Sequence, residues 1–154
     1  MSVILPGSYD PVTLGHLELI KRAAKENEEV YAVIFTNPDK TYTFSLADRV
    51  KMLMLATDGL ENVLVSYSDG LVIDYMREHG IEKIIKGYRN EYDLEYESRQ
   101  AEWNLKMGGF ETELWQAEDS MRGISSTLAR QMIKNGEDLS AVLPEKVISF
   151  IEKH

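Results

Sequence analysis

The chain has 154 residues, of which 44% are apolar and 9% aromatic, and 26 acidic residues against 17 basic residues give it a formal net charge of −9. This composition excludes an intrinsically disordered chain, and the lack of cysteine excludes a disulfide scaffold, thiol catalysis and cysteine-ligated zinc. No apolar run approaches the roughly 20 residues that cross a bilayer, and the acidic total disfavours broad nucleic-acid binding, so we expect a cytoplasmic protein with neither a membrane nor a nucleic acid as partner.

Short β-type runs alternate with longer helical periods along the chain. Strands are predicted at residues 3–5, 30–35, 63–67, 81–85 and 113–116. Helices are predicted at about residues 14–25, 45–57, 71–78, 91–107 and 125–135, and a final helix begins at Pro144. No repeat or linker interrupts the pattern, so we expect one domain over residues 1–154. The alternation predicts an α/β fold, a doubly wound, Rossmann-like parallel sheet with helices on both faces.

Ligands of such sheets bind beyond the carboxyl ends of the strands, where the strand order reverses. The first strand is followed by residues 7–16, GSYDPVTLGH, which lead into a helix. The glycines allow a close approach of backbone amides to a ligand, and the helix start is a natural phosphate site that His16 and Ser8 can share. Taken alone, the segment is better explained as a tight strand–helix turn that partly buries a histidine.

A second segment with candidate chemistry is residues 123–130, GISSTLAR. Its three consecutive hydroxyl residues stand at a predicted helix start, where they can serve as a cap and nothing more. The same hydroxyls and amides can also hold a polyphosphate, with Arg130 about one turn along the helix.

The two segments together resemble the paired signatures of the nucleotidyltransferase superfamily, (H/T)xGH and ISSTxxR. The first signature is present as Thr13-Leu14-Gly15-His16, and the second is complete from Ile124 to Arg130. The resemblance requires that His16 and the hydroxyl trio of residues 125–127 face one pocket.

Further segments resemble the phosphopantetheine adenylyltransferase family. They are the opening GSYDPVTLGH, the stretch KGYRNEYDLEYE at residues 86–97, and the LPE of residues 143–145. Lys40 stands where that family has a substrate-binding lysine. The resemblance runs along essentially the whole chain.

The resemblance implies transfer of AMP from ATP to 4′-phosphopantetheine, which gives dephospho-coenzyme A and pyrophosphate. It implies catalytic roles for His16, Lys40 and Arg89. It implies phosphopantetheine binding by Ser8, Lys40, Leu71, Val72 and Lys86. It implies ATP binding by Ser8, Tyr9, His16, Gly87, Tyr88, Arg89, Glu97, Met121, Arg122, Gly123, Ile124, Ser125, Ser126 and Thr127. Mg²⁺ is the implied cofactor, with few or no protein ligands, and coenzyme A is a possible feedback ligand.

The family also forms hexamers, and the stripe Tyr92, Tyr96, Trp103 and Met107 is a candidate subunit contact. Trp115 is expected in the core or at a subunit contact, and Asp93 is expected to complement a helix dipole and face water. Two departures from the family pattern stand out. Lys86 replaces the usual Arg and loses its bidentate fork, and residues 120–123 lack the usual aromatic.

Other functions remain open at this stage. ISSTxxR is shared with enzymes that adenylylate nicotinamide mononucleotide or cytidylylate a small alcohol phosphate. A non-catalytic nucleotide-binding module and a flavin-binding electron carrier are further alternatives, although the cationic and hydroxyl positions disfavour the last of these.

Overall fold

The computed structural model describes residues 1–154 and contains one sheet of five parallel strands. The strands are β1 (Ser2–Gly7), β2 (Glu29–Phe35), β3 (Val63–Ser68), β4 (Lys83–Tyr88) and β5 (Glu111–Gln116). The helices are α1 (Leu14–Glu26), α2 (Leu46–Ala56), α3 (Val72–His79), α4 (Glu91–Gly108), α5 (Ser126–Lys134) and α6 (Glu145–Lys153), with a 3₁₀ turn at Asp119–Met121. The predicted five-stranded α/β fold is confirmed.

The strand order is β3-β2-β1-β4-β5, so the chain winds outward in one direction from β1 and then in the other from β4. β1 pairs with β2 along its whole length, from Ser2 to Gly7. It pairs with β4 only at Val3 and Ile4. Beyond Ile4 the two central strands diverge, and a crevice opens at their carboxyl ends, as expected where a doubly wound sheet reverses.

The central strands are apolar because helices cover both faces of the sheet. Val3, Ile4 and Leu5 of β1 and Ala32, Val33 and Ile34 of β2 are all buried. A continuous apolar run of this kind is typical of a parallel strand covered on two sides. The larger core cluster packs beneath α1, α2, α5 and α6, and a smaller one packs beneath α3 on the opposite face.

Several predicted boundaries were wrong. β1 continues through Pro6 to Gly7, and β4 spans residues 83–88 instead of 81–85. Lys86 and Gly87 have weak β-propensity, but they pair in register with Leu114 and Trp115 of β5, so tertiary pairing overrides local preference. Pro144 caps α6 from outside, and the helix itself begins at Glu145.

None of the six helices combines the length and the apolar character that a membrane span requires.

We predict that two methionines on α2 differ strongly in their contribution to stability. Met52 is completely buried in the larger core, whereas Met54 is 53% exposed. Met52→Ala leaves a cavity and is expected to lower the free energy of unfolding by about 2–5 kcal/mol. Met54→Ala, the matched control, is expected to change it by about 0.5 kcal/mol or less. Urea denaturation of both variants measures the difference, and equal losses would contradict the packing described for α2.

Candidate active site

The crevice between β1 and β4 opens into a cleft of about 360 Å³. Leu5 and Ile85 form its floor, at the point where the central strands separate. Its walls come from the β1–α1 loop, the carboxyl ends of β4 and β5, and the start of α5. Gly87 of β4 packs closely against α1, where a Cβ atom would come within 3.1 Å of the Leu19 side chain.

Tyr9 fixes the shape of the β1–α1 loop. Its φ is +49°, an uncommon value for a residue with a side chain, so surrounding contacts must hold it in place. The buried Tyr9 hydroxyl donates a hydrogen bond to the Leu5 carbonyl at 2.7 Å, and the ring lies 4.9 Å from the His16 ring, centroid to centroid. Burial raises the pKa of the Tyr9 hydroxyl, so it remains a donor at all ordinary pH values. Tyr9 therefore supports the loop from beneath and sets the position of His16.

His16 closes a capping box at the start of α1. Its backbone amide donates to the Thr13 hydroxyl oxygen at 3.3 Å, while its Nδ1 accepts from the Thr13 backbone amide at 3.0 Å. A backbone amide can only donate, so Nδ1 carries no proton here. In the neutral ring the proton is consequently on Nε2, which is left free to donate to a ligand.

The protonation state of His16 follows from its surroundings. Burial first, and then the positive charges of Lys86 and Arg89, lower its pKa from 6.5 to about 4. The ring is therefore neutral near pH 7. The Nε2–H can stabilise negative charge on a ligand through a hydrogen bond, but a neutral imidazole does not act as a general acid near pH 7.

The two sequence signatures are in direct contact. The Ser126 hydroxyl donates to the Pro11 carbonyl at 2.8 Å, and Arg130 donates to the Asp10 carbonyl at 2.8 Å. Residues 125–127 line the same cleft as His16. The requirement that these groups face one pocket is met.

Lys86 and Arg89, two of the basic side chains of the cleft, are held by carboxylates of α4. The Lys86 ammonium lies 3.3 Å from Glu97 and 3.4 Å from the Pro6 carbonyl. Arg89 lies 3.3 Å from Asp93, whose carboxylate also accepts from the Arg89 backbone amide at 3.2 Å. Asp93 was expected to face water, but instead it orients Arg89. The Lys86 and Arg89 side chains are 30% and 36% exposed, so both cations remain accessible to a ligand in the cleft.

The start of α5 adds backbone donors to this positive region. Ser125 caps the helix, and its hydroxyl accepts from the Leu128 amide at 3.1 Å. The amides of the first helical turn carry the positive end of the helix dipole, and residues 125–127 present it to the cleft. This arrangement is suited to a phosphate chain.

A second cavity, of about 210 Å³, adjoins the first. The two share Pro6, Gly7, Ser8, Lys86 and Glu97. The remaining walls of the second cavity are Phe35, Val72, Ile84, Tyr96, Gln100, Ala101, Asn104 and Thr112, a mixture of apolar and amide side chains. Two compartments therefore meet at a wall that carries one hydroxyl, one cation and the Glu97 carboxylate with which that cation is paired.

Related sequences agree with this geometry. A family model described as cytidylyltransferase-like matches residues 4–132. The chain is 36% identical to a phosphopantetheine adenylyltransferase of Corynebacterium efficiens over 99% of its own length and 97% of the relative's. It is 38% identical to the enzyme of the same name from Corynebacterium glutamicum, covering 98% of this chain and 95% of the relative. It is also 37% identical to that of Thermobifida fusca, covering 94% and 88%.

The chain belongs to the phosphopantetheine adenylyltransferase family. The fold, the paired signatures and the whole-chain resemblance of the sequence are thereby accounted for.

Most residues that the family resemblance singled out lie around the two cavities. Those lining the larger cleft are Ser8, Tyr9, His16, Lys86, Gly87, Tyr88, Arg89, Glu97, Met121, Ile124, Ser125, Ser126 and Thr127. Val72 lines the second cavity. Four line neither: Lys40, Leu71, Arg122 and Gly123. Lys40 is exposed on the segment after β2, and Arg122 touches the site only through its carbonyl, 3.5 Å from the Arg89 guanidinium.

Several cleft residues were missed by the sequence reasoning. Three of them lie at or just after the carboxyl end of β5: Trp115, Gln116 and Ala117. Ligands of a doubly wound sheet bind beyond the carboxyl ends of its strands, so the same rule applied to β5 predicts that these residues line the cleft. Trp115 is 6% exposed, as a core residue should be, but it also lines the cleft beneath the Arg22 guanidinium, 4.1 Å away. Glu18 lines the cleft too, with one carboxylate oxygen buried and without a hydrogen-bond partner, and burial together with Glu118 raises its pKa.

We predict that His16 titrates far below an ordinary histidine. Replacing His79 and His154 with Gln leaves His16 as the only histidine of the three. A ¹⁵N NMR titration should show a neutral ring with the proton on Nε2 at pH 7 and a pKa of about 4. The unfolded chain binds this proton with a pKa near 6.5, so the stability that the group contributes should fall as the pH drops from about 6.5 to about 4. A midpoint near 6.5, or a proton on Nδ1, would contradict the capping geometry.

Proposed function

We propose that this protein transfers AMP from ATP to 4′-phosphopantetheine, giving dephospho-coenzyme A and pyrophosphate. The observation that carries the proposal is the pair of cavities that meet at Ser8 and Lys86. A reaction between two phosphorylated substrates needs one compartment for each and a common wall where the reacting phosphates approach. The relatives named phosphopantetheine adenylyltransferase support the same pair of substrates.

The nucleotide is assigned to the larger cleft. The α5 start and Arg89 offer amides, hydroxyls and a charge for a triphosphate, while Leu19, Trp115 and Ile124 offer apolar surface for a base. Phosphopantetheine is assigned to the second cavity, where Phe35 and Val72 suit its alkyl groups and Gln100 and Asn104 suit its amides. Its phosphate then lies at the shared wall, beside Lys86 and the Ser8 hydroxyl.

The chemical step needs alignment and charge neutralisation more than proton transfer. A phosphate oxygen of phosphopantetheine, already ionised near neutral pH, attacks the α-phosphorus of ATP. The bond from that phosphorus to the bridging oxygen of the β-phosphate breaks, and pyrophosphate leaves with the electron pair. No general base is required, because the nucleophile has no proton to lose.

His16, Lys86 and Arg89 then supply the stabilisation. The Nε2–H of neutral His16 donates to an α-phosphate oxygen as negative charge grows there. Lys86 draws the two repelling anions together at the shared wall, and Arg89 holds the nucleotide phosphates. Lys40 is proposed to reach the acceptor phosphate from the segment after β2.

Mg²⁺ is proposed as the cofactor. No group of three or more His, Asp or Glu side chains is placed to hold a metal, and the cleft carboxylates Asp93 and Glu97 are each paired with a cation. The ion is therefore proposed to arrive with ATP, held by phosphate oxygens and water, and to neutralise charge on the triphosphate.

The proposal extends to regulation, assembly and location. Coenzyme A shares the pantetheine arm of the acceptor and is proposed as a feedback ligand of the same site. The stripe Tyr92, Tyr96, Trp103 and Met107 is exposed on α4, a helix with no buried residue, and we propose that it contacts further copies of this chain in a hexamer. A cytoplasmic location is part of the same proposal.

The acceptor can be identified by a pyrophosphate-release assay. We expect rapid release with ATP and 4′-phosphopantetheine, and little with ATP and nicotinamide mononucleotide or with CTP and glycerol 3-phosphate. A strong signal with either of the other pairs would reassign the substrates within the same chemistry. Nucleotide binding without release in any mixture would favour a non-catalytic module.

His16→Ala is predicted to lower kcat by about 10²–10³-fold, the loss typical of removing one transition-state donor. ATP affinity, measured by calorimetry, should change little, because the donor acts chiefly as charge develops on the α-phosphate. His154→Ala is the control, since that residue is at the chain terminus and lines neither cavity. Unchanged turnover in His16→Ala would remove the proposed role.

A further inference from the structure

A buried arginine outside both cavities connects the parts of the acceptor site. Arg49 of α2 is only 2% exposed, and no carboxylate lies within salt-bridge distance of it. Burying a guanidinium without a counter-charge is costly, so its hydrogen bonds must compensate.

The Arg49 guanidinium reaches three separate parts of the chain. Nε donates to the Phe44 carbonyl at 3.1 Å, one terminal nitrogen donates to the Ser8 carbonyl at 3.2 Å, and the other donates to the Thr36 hydroxyl at 3.0 Å. Its face lies 3.9 Å from the centroid of the Tyr42 ring, a cation–π contact. The guanidinium thus donates hydrogen bonds in its plane and contacts the Tyr42 ring with its face.

These contacts hold both ends of the segment that carries Lys40. Thr36 precedes the segment, and Tyr42 and Phe44 follow Lys40. The Tyr42 hydroxyl accepts from the Asn37 amide at 2.9 Å, and the Lys40 amide donates to the Asn37 carbonyl at 3.0 Å, so residues 37–42 form a closed turn. Lys40 is exposed on this turn, and its position depends on how the two ends are fixed.

Asp10 of the β1–α1 loop holds the end of the same segment that follows Lys40. Its buried carboxylate accepts from the Thr43 amide and from the Phe44 amide, each at 2.9 Å. The Phe44 residue is therefore held through its N–H by Asp10 and through its C=O by Arg49. Asp10 belongs to the β1–α1 loop that carries Ser8, and Arg49 donates to the Ser8 carbonyl of the same loop.

We propose that Arg49 is a positioning residue for the acceptor substrate, one that fixes the Lys40 turn relative to Ser8. It touches no ligand itself. It acts through Ser8, which lines the wall shared by the two cavities, and through the segment whose exposed lysine meets the acceptor phosphate. This inference rests on the proposed function, because it assigns Lys40 and Ser8 to the acceptor.

Lysine cannot replace Arg49 in this role. An ammonium group keeps the charge but lacks the fork that spans Ser8, Thr36 and Phe44 at fixed angles. Arg49→Lys is therefore expected to loosen the Lys40 turn relative to Ser8. The nucleotide cleft is expected to keep its shape, because its walls at β4, β5 and α5 receive no hydrogen bond from Arg49 and its β1–α1 loop is also held by Ser126 and Arg130. Binding of the acceptor should weaken and binding of ATP should not.

The test is a double-variant cycle with calorimetric binding constants and kinetics. Arg49→Lys is expected to raise Kd and KM for phosphopantetheine by about fivefold or more, with the values for ATP changed less than about twofold. Lys40→Met should weaken acceptor binding similarly, and the double variant should be no worse than the worse single variant. Thr36→Val removes one Arg49 acceptor without touching the charge, so it should give a smaller change of the same kind even if Arg49→Lys folds poorly.

Arg77→Lys on α3 is the matched control, since Arg77 is about half exposed and lines neither cavity. Additive effects of Arg49→Lys and Lys40→Met, or equal losses for ATP and the acceptor, would overturn the inference in favour of a purely structural role. If the unaltered enzyme failed to use phosphopantetheine, the proposed function would fail instead, a result visible before any variant is made.

Discussion

The site depends on the joint between α5 and the β1–α1 loop. Ser126 and Arg130 donate to the carbonyls of Pro11 and Asp10, residues 115 and 120 positions away in the sequence. These carbonyls belong to a loop that forms no regular structure, so they need donors from elsewhere. By supplying them, α5 brings its own first turn to within reach of His16. One set of hydrogen bonds therefore satisfies the loop and builds the phosphate site.

His16 shows how a structural contact can set a chemical property. The Nδ1 atom accepts a hydrogen bond from the Thr13 amide, which completes the capping box of α1 and places the ring proton on Nε2. Burial of the ring, and then the positive environment created by Lys86 and Arg89, lower the pKa of His16, so the ring is neutral near pH 7. The same positive environment attracts phosphate. Capping therefore sets which ring nitrogen carries the proton, while burial and the neighbouring cations keep the ring neutral.

Sequence reasoning was most successful where periodicity and local chemistry agree. The alternation of apolar runs and helical periods predicted the five strands, and the hydroxyl run at residues 125–127 marks the start of α5, which Ser125 caps. It failed where distant contacts decide, as at Lys86 and Gly87, which join β4 only because β5 pairs with them. Arg49 and Asp10 resemble ordinary solvated charges in the sequence. Their burial arises from carbonyls and amides that only the folded chain brings together.

The chain is strongly acidic, but its cleft is lined by as many basic side chains as acidic ones. The chain carries a formal net charge of −9, while Lys86 and Arg89 stand at the crevice, where they are paired with Glu97 and Asp93. The pairing keeps the cations in place and lowers the repulsion between them. The carboxylates belong to α4 and the cations to β4 and the turn after it, so the two ion pairs join the helix to the carboxyl edge of the sheet. The Lys86 and Arg89 side chains are still 30% and 36% exposed, which leaves their charge accessible to an anionic ligand in the cleft.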